Sequence, residues 1–116
     1  MQNFGASTAF LIGDEIEWEV IGNKVKRKIL GFDTNIMLVN VHFEKGGIGA
    51  LHEHYHSQVT YVESGAFEVT IGNEIKNLKA GDSFYIAPHV LHGVICHETG
   101  ILIDVFSPIR EDFMKN

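Results

Sequence analysis

The chain has 116 residues, of which 45% are hydrophobic and 21% charged, and its formal net charge is −6 at pH 7. This length and balance are typical of one globular domain and argue against disorder beyond the chain ends. The acidic balance argues against nucleic-acid binding, because the one basic cluster, Lys24 to Lys28, alternates with Val25 and is interpreted as a solvated strand face. No apolar run approaches the roughly 20 residues of a membrane span.

Cys96 is the single cysteine, so an intramolecular disulfide is excluded. A free thiol suits a reducing compartment, and the N-terminus shows no basic region followed by an apolar stretch, which a signal peptide would need. We therefore expect a cytoplasmic protein.

Short segments with the alternation or the β-branched composition of strands follow one another along the chain. They lie at residues 16–21, 24–32, 36–43, 59–63, 67–71, 74–76, 84–86, 92–96 and 101–106. The pair Gly72-Asn73 predicts a two-residue hairpin. Residues 109–114 indicate a short C-terminal helix, with Ser107 as its cap and Pro108 in its first turn. The predicted fold class is all-β, an antiparallel barrel or two-sheet sandwich.

The stretch between Gly46 and Gly65 carries polar side chains suited to metal binding at every second position. They are His52, His54 and His56, followed by Gln58. A strand directs alternate side chains to one face, so these groups can converge. Imidazole nitrogens favour transition metals over Mg or Ca. A fourth ligand must come from elsewhere, and His92 is the leading candidate.

An acid, an aromatic ring and a base lie close together near the C-terminus. Alternation places Asp104 and Phe106 on one strand face with Leu102. If that face is the interior, Asp104 is a partly buried carboxyl suited to acid–base chemistry. Arg110 can fold back to bind a carboxylate substrate. The alternatives are an Asp satisfied by backbone amides and an Arg in a surface ion pair.

The histidine stretch resembles the first cupin motif, with Gln58 where the motif has glutamate. A weaker second motif falls on residues 81–96 and makes His92 a ligand, although Ala87, His89 and Cys96 depart from it. The resemblance implies a double-sheet jelly-roll barrel. It divides the chain into an N-terminal arm with edge strands, residues 1–30, and a cupin barrel, residues 31–116, within a single domain.

The cupin resemblance also implies one divalent transition metal, Zn, Ni, Fe or Mn, and a set of four ligands. These are His52, His54, Gln58 and His92. His56 is then not a ligand, because the strand is expected to bend near Tyr55. The neutral Gln58 leaves the cation its full charge, which favours Lewis-acid chemistry over oxygen chemistry.

The chain from about Ile36 to Phe113 is similar to KdgF-type cupins of pectin and alginate breakdown, most clearly in the segments FEKGGIGALHEHYHSQ and DVFSPIREDF. Those enzymes convert cyclic 4,5-unsaturated monouronates to linear keto-uronates. The resemblance implies an isomerase acting on a small acidic sugar, with Asp104 as acid–base residue and Phe106 and Arg110 as substrate contacts. A cupin-type metal-dependent dioxygenase and a non-catalytic sugar- or metal-binding module stay open as alternatives.

The N-terminal segment lies outside the motifs and carries apolar residues without helical period. They are Phe10, Leu11 and Ile12, with Trp18 further on. Apolar residues in such a position can cover a partner subunit. With the cupin resemblance, they predict a homodimer.

Overall fold

Ten strands form two antiparallel sheets in the computed structural model, which describes residues 4–114. The strands are β1 (Glu19–Gly22), β2 (Val25–Asp33), β3 (Ile36–Phe43), β4 (Ile48–His52), β5 (Ser57–Val62), β6 (Ala66–Ile71), β7 (Glu74–Lys79), β8 (Ser83–Ile86), β9 (His92–Glu98) and β10 (Gly100–Ser107). The larger sheet has the order β1-β2-β3-β10-β5-β8, and the smaller has the order β4-β9-β6-β7. The predicted all-β architecture of two sheets is confirmed.

The core lies between the two sheets and is built by strict alternation. Strand β3 directs four apolar side chains inward, and each is at most 7% exposed. They are Met37, Val39, Val41 and Phe43. The smaller sheet contributes Phe67, whose ring meets that of Phe43 edge to face at 5.4 Å between centroids. Removing this apolar surface from water is the main driving force that holds the sheets together.

The N-terminal strands belong to the same sheet as the centre of the barrel. A short 3-10 turn (Gly13–Glu15) precedes β1, which pairs with β2, and β2 pairs with β3. Strand β2 runs across the boundary expected between residues 30 and 31. One sheet therefore joins both segments, and their division stays a prediction.

The basic residues of β2 lie on both faces of the strand, and not on one solvated face as predicted. Lys26 and Lys28 hold their ammonium groups 4.7 and 4.6 Å from the centroid of the Trp18 ring on the outer face. Arg27 shares the strand parity of the buried Val25, and its side chain is 12% exposed. The interpretation of the run as a solvated strand face is therefore wrong for Arg27, which points between the sheets.

The hairpin predicted at Gly72-Asn73 is present. It joins β6 to β7, and Ile71 lies opposite Glu74 across the two-residue turn. The two strands form the outer half of the smaller sheet. Local turn chemistry was sufficient to identify this connection.

The C-terminal helix is shorter than expected and is a 3-10 turn over Glu111–Met114. Ser107 does not cap it, because Ser107 is the last residue of β10. The chain then turns inward, and the buried Ile109 donates its N–H to the Thr34 carbonyl at 3.1 Å. Within residues 4–114, no helix has the length and apolar character needed to cross a membrane.

Candidate functional site

Three histidine rings converge where β4 meets β9. His52 ends β4 and lies opposite His92, the first residue of β9. His54 follows in the turn before β5. The ring centroids are 5.5 Å apart for His52 and His54, 4.3 Å for His52 and His92, and 4.8 Å for His54 and His92. One nitrogen from each ring lies within 4.8 Å of the others, which is a spacing that one metal ion can bridge.

Backbone carbonyls fix the orientation of these rings. Each Nδ1 lies near a carbonyl oxygen: Ala50 at 2.8 Å for His52, His56 at 3.2 Å for His54, and Val90 at 2.8 Å for His92. A carbonyl accepts only, so the Nδ1 atoms of His52 and His92 carry the proton and their Nε2 atoms present lone pairs. The Nε2 of His92 is buried and has no hydrogen-bond partner among residues 4–114. These are the features of metal ligands.

Gln58 adds an oxygen to the cluster. Its side chain is buried, and its Nε2 donates to Thr60 Oγ1 at 2.9 Å. The amide is thereby oriented with Oε1 3.1 Å from Nε2 of His54. Both ring nitrogens of His54 therefore face acceptor oxygens, and a neutral ring carries only one proton. With that proton on Nδ1, Nε2 and Oε1 are two opposed acceptors, an arrangement that a shared cation stabilises.

His54 and His92 are held neutral. Burial and the Arg110 guanidinium lower the pKa of His54 to about 4. Burial also lowers the pKa of His92. Metal ligands must be deprotonated, so both residues are ready to coordinate at neutral pH.

The ring of His56 lies 5.3 Å from that of His54 between centroids, and its Nδ1 is buried without a partner among the described residues, but its Nε2 is bonded elsewhere. Its Nε2 is 3.1 Å from the Ile109 carbonyl oxygen and 3.3 Å from a carboxylate oxygen of Glu111. Its ring stacks on Tyr55 at 4.0 Å between centroids. The chain turns over residues 53–56 instead of continuing as a strand, which gives His56 a different direction from His52 and His54.

A cavity of about 440 Å³ between the sheets contains most of the predicted site. The predicted residues that line it are His52, Gln58, His92, Asp104, Phe106 and Arg110. Among the described lining residues, Asp104 supplies the one carboxyl. The remaining walls are mostly apolar, as is typical of small-ligand sites.

Asp104 is linked to the histidine cluster through Gln58. It lies opposite Thr60 on the neighbouring strand, and its Oδ1 accepts a hydrogen bond from Thr60 Oγ1 at 2.6 Å. Nε2 of Gln58 lies 3.4 Å from the same oxygen. Burial raises the pKa of Asp104 to about 6, and the hydrogen bond from Thr60 limits the rise.

Arg110 folds back to the cavity, but it is also anchored. Its Nε and Nη2 donate to the two carboxylate oxygens of Asp112 at 3.0 and 2.8 Å. Its guanidinium carbon lies 4.9 Å from the Phe106 ring centroid and 4.1 Å from that of Phe113. Phe106 is 2% exposed and supports the arginine from inside the barrel.

Comparison with known proteins identifies the family. Residues 39–106 match the cupin domain. The chain belongs to the cupin family. This cupin is 46% identical over 107 residues to the pectin degradation protein KdgF of Dickeya dadantii (strain 3937), covering 90% of this chain and 97% of that protein.

Solved structures agree with this assignment. An RmlC-like cupin from Shewanella frigidimarina NCIMB 400 is 50% identical, with a TM-score of 0.92 over 95% of this chain and 99% of that chain. KdgF from Halomonas sp. is 38% identical, with a TM-score of 0.88 over 90% of this chain and 99% of that chain. The resemblance to KdgF-type cupins is confirmed. The cupin fold and the histidine cluster together indicate a divalent-metal site.

Three residues that lie near the predicted site were not predicted from the sequence to belong to it. Thr60 shares strand parity with Gln58, and Arg27 shares it with Val25, so alternation could have identified both. The carboxylate of Asp112 has no such pattern, because its contact with Arg110 depends on the path of the chain after β10.

Proposed function

We propose that this cupin converts cyclic 4,5-unsaturated monouronates into linear keto-uronates without a redox cofactor. The 46% identity to a pectin degradation protein supports this substrate class. The observation that carries the proposal is the position of Gln58, which contacts both His54 and Asp104. One amide thus connects the candidate metal ligands to the one carboxyl among the described residues of the cavity wall.

We propose that His52, His54, Gln58 and His92 hold one divalent transition ion, with Zn, Ni, Fe and Mn as candidates. The unpartnered Nε2 of His92 and the opposed acceptors of His54 and Gln58 support this ligand set. A bound cation supplies Lewis acidity that stabilises negative charge on substrate oxygens. Since Gln58 is neutral, it does not offset that charge.

Arg110 and Phe106 are the proposed substrate contacts. Two nitrogens of Arg110 hold Asp112, while Nη1 makes no hydrogen bond to the residues that the structure describes. This leaves donors for the uronate carboxylate, and the Asp112 contact keeps the guanidinium plane fixed. Phe106 lines the cavity beside Arg110 and offers an apolar surface to the sugar ring.

The reaction is an isomerisation that balances in protons and electrons. The anomeric hydroxyl gives its proton to water and the bond between C1 and the ring oxygen breaks, so C1 becomes an aldehyde. The ring oxygen stays on C5 as an enolate, and Arg110 stabilises the adjacent negative charge. Asp104 then donates a proton to C4, which leaves a ketone at C5. One proton leaves an oxygen and one reaches a carbon, so no oxidant or reductant is consumed.

Turnover without oxygen is the first test of this function. Metal-loaded protein is mixed with an unsaturated monouronate under anaerobic conditions, and the absorbance of the conjugated alkene is followed. We expect the absorbance to fall and a keto-uronate to appear by NMR. Activity that requires oxygen would instead indicate the dioxygenase, and tight uronate binding without turnover would indicate a binding module.

We further propose that the protein is a cytoplasmic homodimer. Side chains of the N-terminal arm and of edge strand β1 support a dimer, with Phe10 87% exposed, Ile12 55% and Val20 78%. Trp18 contributes less than expected, because Lys26 and Lys28 cover its ring. Light scattering of the wild type and of Phe10→Ser tests this surface. The buried free thiol of Cys96 is consistent with a reducing compartment.

A further inference from the structure

Arg27 is a charged residue at an inward-facing position of the barrel. On β2 it lies opposite Val41 of β3, which is 7% exposed, and it shares parity with the equally buried Val25. Its own side chain is 12% exposed and lines the same cavity as Asp104. A guanidinium is costly to remove from water unless charge or hydrogen bonds compensate it.

The described residues form a hydrogen bond with only one nitrogen of this guanidinium. Nε donates to a carboxylate oxygen of Glu19 at 2.8 Å, which orients the side chain from the neighbouring strand. Neither terminal nitrogen makes a hydrogen bond to the residues between 4 and 114. The end of Arg27 that lines the cavity therefore retains free donors, and a guanidinium is the cation best shaped to bind a carboxylate.

Phe113 packs against both Arg27 and Arg110. The guanidinium carbon of Arg27 lies 3.8 Å from the Phe113 ring centroid, and that of Arg110 lies 4.1 Å from the same centroid. The separation of the two carbons cannot exceed the sum of these distances. Both arginines line the cavity, so one small anion can lie within reach of both.

We propose that Arg27 is a second guanidinium contact for the carboxylate of the uronate and sets the preference for acidic over neutral sugars. This inference rests on the proposed function. Arg110 has already committed two nitrogens to Asp112, whereas Arg27 has committed only Nε, to Glu19. Arg27 therefore offers the larger number of free donors to a ligand. The carboxylate is present before and after the reaction, so Arg27 acts on binding more than on the chemical step.

The test compares Arg27→Met and Arg27→Lys with Lys26→Met in the metal-loaded protein. Lys26→Met removes the same charge from the outer face of the same strand. Calorimetry measures the binding of glucuronate, which lacks the 4,5 double bond and does not react, and of glucose, its neutral analogue. We expect Arg27→Met to weaken glucuronate binding about 10-fold to 100-fold, the range for a charge-assisted hydrogen bond. Lys26→Met should keep wild-type affinity, and glucose binding should not change.

Kinetics give the second readout. In Arg27→Met the KM for the unsaturated uronate should rise by the same factor as the glucuronate Kd, with kcat little changed. Arg27→Lys keeps the charge but not the planar fork, so it should fall between Arg27→Met and the wild type. Circular dichroism establishes that each variant is folded.

The two proposals fail separately. Wild-type glucuronate affinity in either folded Arg27 variant would overturn the role of Arg27. If the wild type binds glucuronate through Arg27 but does not turn over the unsaturated uronate, the proposed reaction fails, while the assignment of Arg27 as a carboxylate contact is supported.

Discussion

The side-chain amide of Gln58 lies 3.4 Å from the carboxyl of Asp104, and its oxygen lies 3.1 Å from Nε2 of His54. A single neutral residue, itself a candidate ligand, therefore lies between the candidate histidine ligands and the candidate acid. Its neutrality affects both the metal and the acid, because a carboxylate at this position would offset the charge of the cation and would repel an ionised Asp104.

Gln58→Glu tests that neutrality. The substitution introduces the glutamate of the general cupin motif, removes the N–H that is donated to Thr60, and places a second negative charge beside Asp104. We expect bound metal to be retained and kcat to fall at least about 10-fold, because each loss of about 1.4 kcal/mol of transition-state stabilisation lowers the rate tenfold. Metal analysis and the alkene assay measure the two quantities. Wild-type kcat in the variant would show that the amide has no special role.

His92→Ala and His56→Ala separate the ligands from their neighbour. His92 presents an unpartnered Nε2 to the cluster, whereas His56 directs its Nε2 to Ile109 and Glu111. We expect His92→Ala to lower metal affinity by more than about 100-fold, beyond the effect of losing a residue that only orients a ligand. His56→Ala should keep the metal and lose about 1–3 kcal/mol of stability. Mass spectrometry of bound metal and urea unfolding check both. Loss of metal in His56→Ala alone would reverse the assignment.

The Arg110–Asp112 pair predicts a pH dependence of stability. Burial alone would raise the pKa of Asp112, but the hydrogen bonds and the charge of Arg110 lower it below the ordinary value of 3.8. A carboxyl with a lowered pKa stabilises the folded state above its ordinary pKa, and that contribution is lost as the pH falls through the folded value. The difference in urea midpoint between the wild type and Asp112→Asn should therefore be present at pH 7 and shrink below about pH 4. Asp14→Asn, in the exposed turn before β1, controls for the loss of one negative charge. If the midpoint difference for Asp112→Asn stays constant with pH, the ion pair with Arg110 does not contribute to stability.

Gly65→Ala tests the turn between the sheets. Gly65 has a φ of +84°, and an added Cβ would lie 2.5 Å from the Glu98 carbonyl oxygen. Gly81 is the matched control, because its φ is +98° and no atom lies within 4 Å of an added Cβ. Both substitutions should lower the free energy of unfolding by about 1–2 kcal/mol, because alanine is strained in the left-handed backbone conformation. Only Gly65→Ala adds a clash. Thermal unfolding should show a larger loss for Gly65→Ala; equal losses would mean that the turn relaxes freely.

Local patterns predicted the strands well where alternation was uninterrupted. Residues 36–43 were predicted as a strand and form β3 with the same bounds. The histidine stretch shows the limit of this approach, since alternation suggested one strand through His56, while the chain turns over residues 53–56. The expected bend near Tyr55 came from the cupin resemblance and not from the alternation.

Contacts between distant segments were harder to predict. The proximity of His92 to His52 depends on the pairing of β4 with β9, and only the second cupin motif indicated it. The alternation with Val25 led to the interpretation of the whole basic run as a solvated face, although the parity of Arg27 with Val25 indicates an inward position. The Asp112 contact with Arg110 requires the turn after β10, which no local pattern specifies.

Asp104→Asn gives the most direct test of the proposed reaction. The substituted amide would keep the size of the side chain but could not deliver a proton to C4, and general acid catalysis contributes roughly 10²–10⁴-fold. With metal content and glucuronate affinity matching the wild type, we expect kcat in the anaerobic alkene assay to fall by about that factor, while Asp14→Asn keeps full activity. Full turnover by Asp104→Asn would contradict the mechanism.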